Sequence, residues 1–208
     1  MSLKFTFIAA CFAVAVVSYF WCRSKTDWAW LVGGLGFTLL ADYFLILQGN
    51  HLFGVAAFCF VHVCYISRIR AGRGAVSDDM HTRPGYNSKP DTKVVLVVSA
   101  FFAVAWLAAF IAGSVIVLSV VYASLFALNL YVNATSRHPR RSLILAGLVL
   151  FALCDISVML ANLPAYIGAP LWLEGFFPII WVFYLPSQGL LAISAGRSFR
   201  EARSVPSL

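Results

Sequence analysis

"GLGFTLLADYFLIL", residues 34–47, is an apolar run interrupted by a single carboxylate, Asp42. What surrounds that carboxylate follows from composition. Of 208 residues, 62% are hydrophobic, 15% aromatic and only 11% charged, a balance far more apolar than that of a soluble domain of this size. Apolar blocks alternate with charged punctuation and give seven candidate spans, roughly 5–22, 28–47, 51–69, 93–112, 115–133, 142–161 and 171–196, each near or above the length that crosses a bilayer. The blocks lack the period-two alternation of barrel strands, and lipid leaves the helix as the other way to satisfy every backbone polar group. The expectation is an all-α polytopic membrane protein, a single transmembrane domain over residues 1–208 built as a seven-helix bundle.

The formal net charge of +7 does not point to nucleic acid, because topology accounts for where the charges fall. Of the 15 Lys and Arg residues, all but Lys4 follow span 1, surround the link between spans 3 and 4, lie between spans 5 and 6, or form the tail. The intervening links "QGNH", "AGS" and "NLPAYIGAP" carry none. Every second connection is therefore basic, and the positive-inside rule places the N-terminus outside and the C-terminus in the cytoplasm. The partners expected are the bilayer, including its anionic head groups, and a lipid. Although Lys4 precedes an apolar run, span 1 ends in Tyr19, Phe20 and Trp21 where signal cleavage requires small residues, so it is expected to stay in place. Cys11, Cys59, Cys64 and Cys154 fall inside spans and Cys22 at a boundary, a distribution that suits packing rather than a disulfide framework.

Residues 163–196 contain Pro164, Pro170, Pro178 and Pro186. Dividing this stretch would leave pieces too short to span and would move Arg197, Arg200 and Arg203 outside. One helix bent by Pro178 and Pro186 is expected, with Pro164 and Pro170 in an outer loop. The Gly-, Pro- and Asp-containing link from 70 to 92 reads as a long cytoplasmic loop.

An internal repeat bears on Asp42. "GLGFTLLAD", residues 34–42, lies over "GLVLFALCD", residues 147–155, with Gly, Leu, Leu and Asp coinciding. Each segment is followed by a returning span with a tyrosine, Tyr65 in one case and Tyr184 in the other. The repeat puts Asp42 and Asp155 at similar depth, about 8 Å from the outer ends of their spans. A carboxylate in mid-span costs about 2.5 to 3.5 kcal/mol on insertion, so both are expected to face the bundle. With no Lys or Arg inside a span to neutralise them, two carboxyls at one site are expected to hold a proton between them, which suits acid/base chemistry.

Other intramembrane polar groups are few. His62 and Tyr65 share a face of span 3, Tyr184 and Gln188 share a face of span 7, Asn129 lies in span 5, and Glu174 lies near the outer start of span 7. Singly, such residues often do no more than bond neighbouring helices, at roughly 0.6 kcal/mol each. His62 is the one histidine inside a span, too few ligands for a metal hydrolase, so neither metal nor cofactor is expected. A proton-coupled transporter or lipid-binding protein is the alternative to an enzyme.

"GLGFTLLADYFLIL" followed by "LFGVAAFCFVHVCYI", with "AGLVLFALCDISVML" and "FYLPSQGLLAIS" later, resembles the ordered signature of the YhhN-like lysoplasmalogenase family. Asp42, His62, Tyr65, Asp155, Tyr184 and Gln188 match its polar positions. Ala41 and Cys154 stand where that family usually has Gly and Ser, its early Lys-Pro element is absent, and its members generally have eight spans. The resemblance implies an integral membrane hydrolase that cleaves the vinyl ether of a lysoplasmalogen or related lysolipid in a bacterial cytoplasmic membrane. It implies one of Asp42 and Asp155 as proton donor and the other as the stabilising carboxylate, with His62 and Tyr184 orienting them or the water; the sequence does not distinguish the two acids, and Asp155 is taken as the donor. Tyr65, Tyr184, Gln188, Asn129 and Glu174 would meet the substrate.

Overall fold

The computed structural model describes residues 3–22, 24–77, 103–104, 106–107, 111, 114–136, 138, 140–167 and 170–194. Among these the chain is helical apart from short links, without a strand. The helices are α1 (Leu3–Val17), α2 (Lys25–Asp42), α3 (His51–Ser77), α4 (Val115–Ala134), α5 (Arg141–Ile167) and α6 (Phe177–Ile193). A 3-10 turn, Ser18–Phe20, extends α1, a π-helical segment, Tyr43–Leu47, continues α2, and a 3-10 segment, Leu171–Phe176, precedes α6.

Four of the described helices are long and apolar enough to cross a bilayer: Lys25–Leu47, His51–Arg70, Val115–Ala134 and Arg141–Asn162. The first of these has 23 residues, which rise about 34 Å against a hydrocarbon core of about 30 Å. Lys4–Phe20 and Phe177–Ile193 are shorter apolar helices. The expected span at 93–112 lies largely outside the described residues, of which 103–104, 106–107 and 111 are helical.

Local chemistry sets the helix starts. Ser24 Oγ accepts the Asp27 N–H at 3.3 Å, Ser114 Oγ accepts that of Val117 at 3.4 Å, and Asn50 Oδ1 accepts that of Phe53 at 3.1 Å. The turn before α3 passes through Gly49 at φ +64°, a left-handed conformation that favours glycine. Neighbours in sequence pack side by side from α1 to α6, and α6 returns to α1, closing a ring around buried Ile8, Leu35, Val61, Leu148, Phe151 and Leu191.

The two repeat glycines are points of close approach. A Cβ on Gly34 would stand 2.5 Å from the Tyr65 ring, and one on Gly147 would stand 3.0 Å from the Leu191 side chain and 3.2 Å from the Ser187 carbonyl. Each glycine thus admits the helix that follows its own.

Two expectations about proline are corrected. Pro164 is not in a loop, because α5 continues to Ile167. Pro178 lies in the first turn of α6, where its missing N–H has no intrahelical partner to lose, so it starts the helix rather than bending it. Pro186 is inside α6 as expected.

By its place in the sequence Arg68 is only a marker of topology. In the structure it is 1% exposed and ties the basic end of the bundle together. Its Nε and Nη2 donate to Asp27 Oδ1 and Oδ2 at 2.8 and 3.1 Å, a two-pronged pairing between α3 and α2. Its Nη1 donates to Ser194 Oγ at 2.6 Å and Nη2 to the Ser194 carbonyl at 3.1 Å, satisfying the end of α6. His138 Nε2, from the α4–α5 link, stands 3.3 Å from Asp27 Oδ1.

Removing one member of a buried ion pair strands the other, at about 3 to 5 kcal/mol. Arg68→Met is expected to lower the thermal midpoint in detergent sharply, and Asp27→Leu added to it to recover much of the loss. A single variant that melts with the wild type would dismiss the clamp. Gly34→Ala should cost about 1 to 3 kcal/mol by pushing Tyr65 off α2, read in the same melt.

Candidate functional site

Asp42 is the last residue of α2 before the backbone loosens into the π-helical segment. The Tyr43 N–H is shared between the carbonyls of Leu39 and Leu40, so the change of helical pitch begins beside the carboxyl. Such single-turn π segments are frequent at functional sites. Asp42 is 3% exposed, and Tyr184, from α6, donates its hydroxyl to Oδ2 at 2.6 Å. Asp155, midway along α5, is only partly buried, and its Oδ2 accepts the hydroxyl of Tyr122, from α4, at 2.6 Å. Among the described residues each carboxyl has this one hydrogen bond.

An aromatic cluster joins the two pairs. Tyr184 packs on Phe151 with ring centroids 5.7 Å apart, and Phe151 meets Phe58 at 5.6 Å and Phe126 at 5.5 Å. Tyr122 reaches the same cluster through Phe58 at 6.0 Å and Phe126 at 6.1 Å. Two tyrosine-held carboxyls thus border one largely apolar region of the bundle, contributed by α2 to α6. A carboxyl pair in such surroundings can give or accept a proton where water is scarce.

The other expected site residues divide into two groups. His62 is fully buried, stacks on Phe126 with centroids 4.5 Å apart, and lies 5.0 Å from the Tyr122 ring. Its Nδ1 pairs with Asn129 Nδ2 at 3.1 Å, so His62 and Asn129 join the Asp155 side through Tyr122. Tyr65 and Gln188 do not bond either carboxyl. The Tyr65 ring fills the space over Gly34, with its hydroxyl beside Thr38. Buried Gln188 donates from Nε2 to Ser187 Oγ at 3.3 Å. Glu174 belongs to the 3-10 segment before α6, and its side chain lies outside the described residues. No group of three His, Cys, Asp or Glu converges among the described residues.

The YhhN family matches residues 3–195, which include all six described helices. The chain belongs to the YhhN family. No curated protein and no solved structure matches it. The family includes lysoplasmalogenases, and its match together with the apolar helices makes this YhhN protein an integral membrane protein.

Tyr122 is the residue of this YhhN protein that sequence reading missed. The repeat offers Tyr65 and Tyr184 as equivalent, yet the second carboxyl takes its phenol from the helix before its own rather than from Tyr65. A signal was present: Tyr122, Phe126, Asn129 and Asn133 recur at spacings of four, three and four, one face of a helix.

Replacing either tyrosine by Phe leaves a carboxyl without its donor, at about 1 to 3 kcal/mol when water cannot take over. Tyr184→Phe should therefore lower the melting midpoint more than Tyr122→Phe, since Asp42 is buried and Asp155 partly exposed. The reverse order would show that burial does not rank the two pairs.

Proposed function

We propose that this YhhN protein is a hydrolase of the lysoplasmalogenase type, a seven-span protein of a bacterial cytoplasmic membrane with its N-terminus outside. Its substrate is the vinyl ether of a lysoplasmalogen or related lysolipid. The observation that carries the reading is the pair of carboxyls, each held by a tyrosine hydroxyl, with the two tyrosines joined through the rings of Phe151 and Phe126.

A vinyl ether is cleaved by adding a proton to its β-carbon, which leaves an oxocarbenium ion at the carbon bearing oxygen. Water adds to that carbon and releases a proton, and the hemiacetal collapses to a fatty aldehyde and the free glycerophospho-alcohol. The reaction consumes one water and needs a proton donor and an anion beside the cation, the division of labour that two carboxyls perform in glycoside hydrolysis. Asp155 is assigned as donor, because its partial exposure lets it meet substrate and regain its proton. Asp42, buried and fixed by Tyr184, is assigned as the group that stabilises the cation and orients water. His62 supports Tyr122 by packing. Gln188 is assigned to the glycerol and Glu174 to the entrance at the start of the last helix, and Tyr65 and Asn129 support the walls through their own helix contacts.

Purified protein incubated with a lysoplasmalogen should release fatty aldehyde. Asp42→Asn and Asp155→Asn should each lower kcat by about 10²- to 10⁴-fold. Undiminished release by either variant removes that carboxyl from the mechanism. Uptake into vesicles without bond cleavage would favour a carrier.

A further inference from the structure

The Tyr122–Asp155 pair does not end at His62. Below it, buried polar groups continue along one face of α4 to the basic end of the bundle. Asn129 Nδ2 meets His62 Nδ1 at 3.1 Å, and Asn129 Oδ1 accepts from Asn133 Nδ2 at 2.7 Å. The Asn133 carbonyl accepts from Ser136 Oγ at 2.9 Å, and Ser136 Oγ accepts the His138 N–H at 3.5 Å. His138 Nε2 then stands 3.3 Å from Asp27, the partner of Arg68. His62, Asn129 and Asn133 are 0% exposed and Ser136 is 1% exposed. The file from Tyr122 to Ser136 rises about 21 Å, much of the thickness of a bilayer core.

Helix-to-helix glue would close on itself, but this file does not. His62 Nε2 and Asn133 Oδ1 are buried without a hydrogen-bond partner. Because the Asn129 amide donates to Nδ1, that nitrogen is the acceptor of a neutral ring, and the proton resides on Nε2. One buried donor and one buried acceptor, on opposite sides of Asn129 in the file, are therefore left open. Buried polar groups in this condition are met by ordered water, which makes two to four such bonds.

We propose that this file binds internal water and conducts water and protons between the basic end of the bundle and the Tyr122–Asp155 pair. Its purpose rests on the hydrolase reading: each turnover consumes one water, whose oxygen joins the aldehyde carbon and whose proton restores the acid. Its existence does not rest on that reading, and neither does its test.

Hydroxyl-radical footprinting of the full chain in ¹⁸O water, in lipid nanodiscs and without substrate, labels a buried side chain only where ordered water lies beside it. His62 and Tyr122 should take up ¹⁸O, whereas Phe5, buried on α1, should not. Asn133→Leu should cut labelling of His62 about fivefold or more, and Asn133→Ser, which keeps a polar group, should retain it. Wild-type His62 and Tyr122 as unlabelled as Phe5 would overturn the proposal, as would labelling that survives Asn133→Leu unchanged. If the leucine variant does not fold, the wild-type contrast with Phe5 decides. Labelling without aldehyde release would keep the file and remove the hydrolase; aldehyde release without labelling would do the opposite.

Discussion

A polar side chain in a bundle surrounded by lipid has to find its partner inside the protein, and a carboxyl or guanidinium that its own helix cannot serve finds it on a neighbouring one. That constraint organises this YhhN protein more than any single hydrophobic contact. Packing between apolar helices is weakly directional in hydrocarbon, where a leucine against lipid and a leucine against leucine differ little. The inter-helix hydrogen bonds and the buried ion pair fix which helix faces which, from Arg68 at the basic end to Asp42 and Asp155 farther along the bundle.

The two ends of the bundle solve the problem in different ways. At the basic end a guanidinium satisfies a carboxylate, a hydroxyl and a carbonyl together, and the result is a closed set of bonds suited to holding α2, α3 and α6 in register. Deeper in, among the described residues, the carboxyls have no cation and a single phenol each. A salt-bridged acid keeps one charge state firmly, whereas an acid held only by a neutral hydroxyl keeps the freedom to exchange a proton. The two kinds of acid are thus separated along the axis of the same helices. Asp27 and Asp42, both on α2, illustrate the two cases.

The internal repeat has a physical meaning that its sequence shows only in part. Gly34 and Gly147 admit the following helix at close range, and the aspartates two turns farther on then point into the bundle. The tyrosines that follow are not equivalent. Tyr65 spends its ring on the gap over Gly34, whereas the matching gap over Gly147 is filled by Leu191, leaving Tyr184 free to reach across to Asp42. The second carboxyl consequently recruits Tyr122 from α4, and with it the asparagines of that face.

Hydropathy is additive along a chain, so the sequence by itself determined the helices, their membrane setting, the alternation of basic links and the inward facing of two rare carboxylates. It also carried the family, through motifs whose order and spacing survive in one dimension. Partner choice is not additive. Which phenol meets which acid, and whether Arg68 lies in water or inside the protein, depends on the rotation and closeness of helices remote in sequence. A few ångströms at Gly34 and Gly147 set that arrangement, and no pattern along a single helix encodes it. Only the tertiary structure brought Tyr122 to Asp155 and Asp27 to Arg68, because in each case the bond is made across a helix interface that exists after packing.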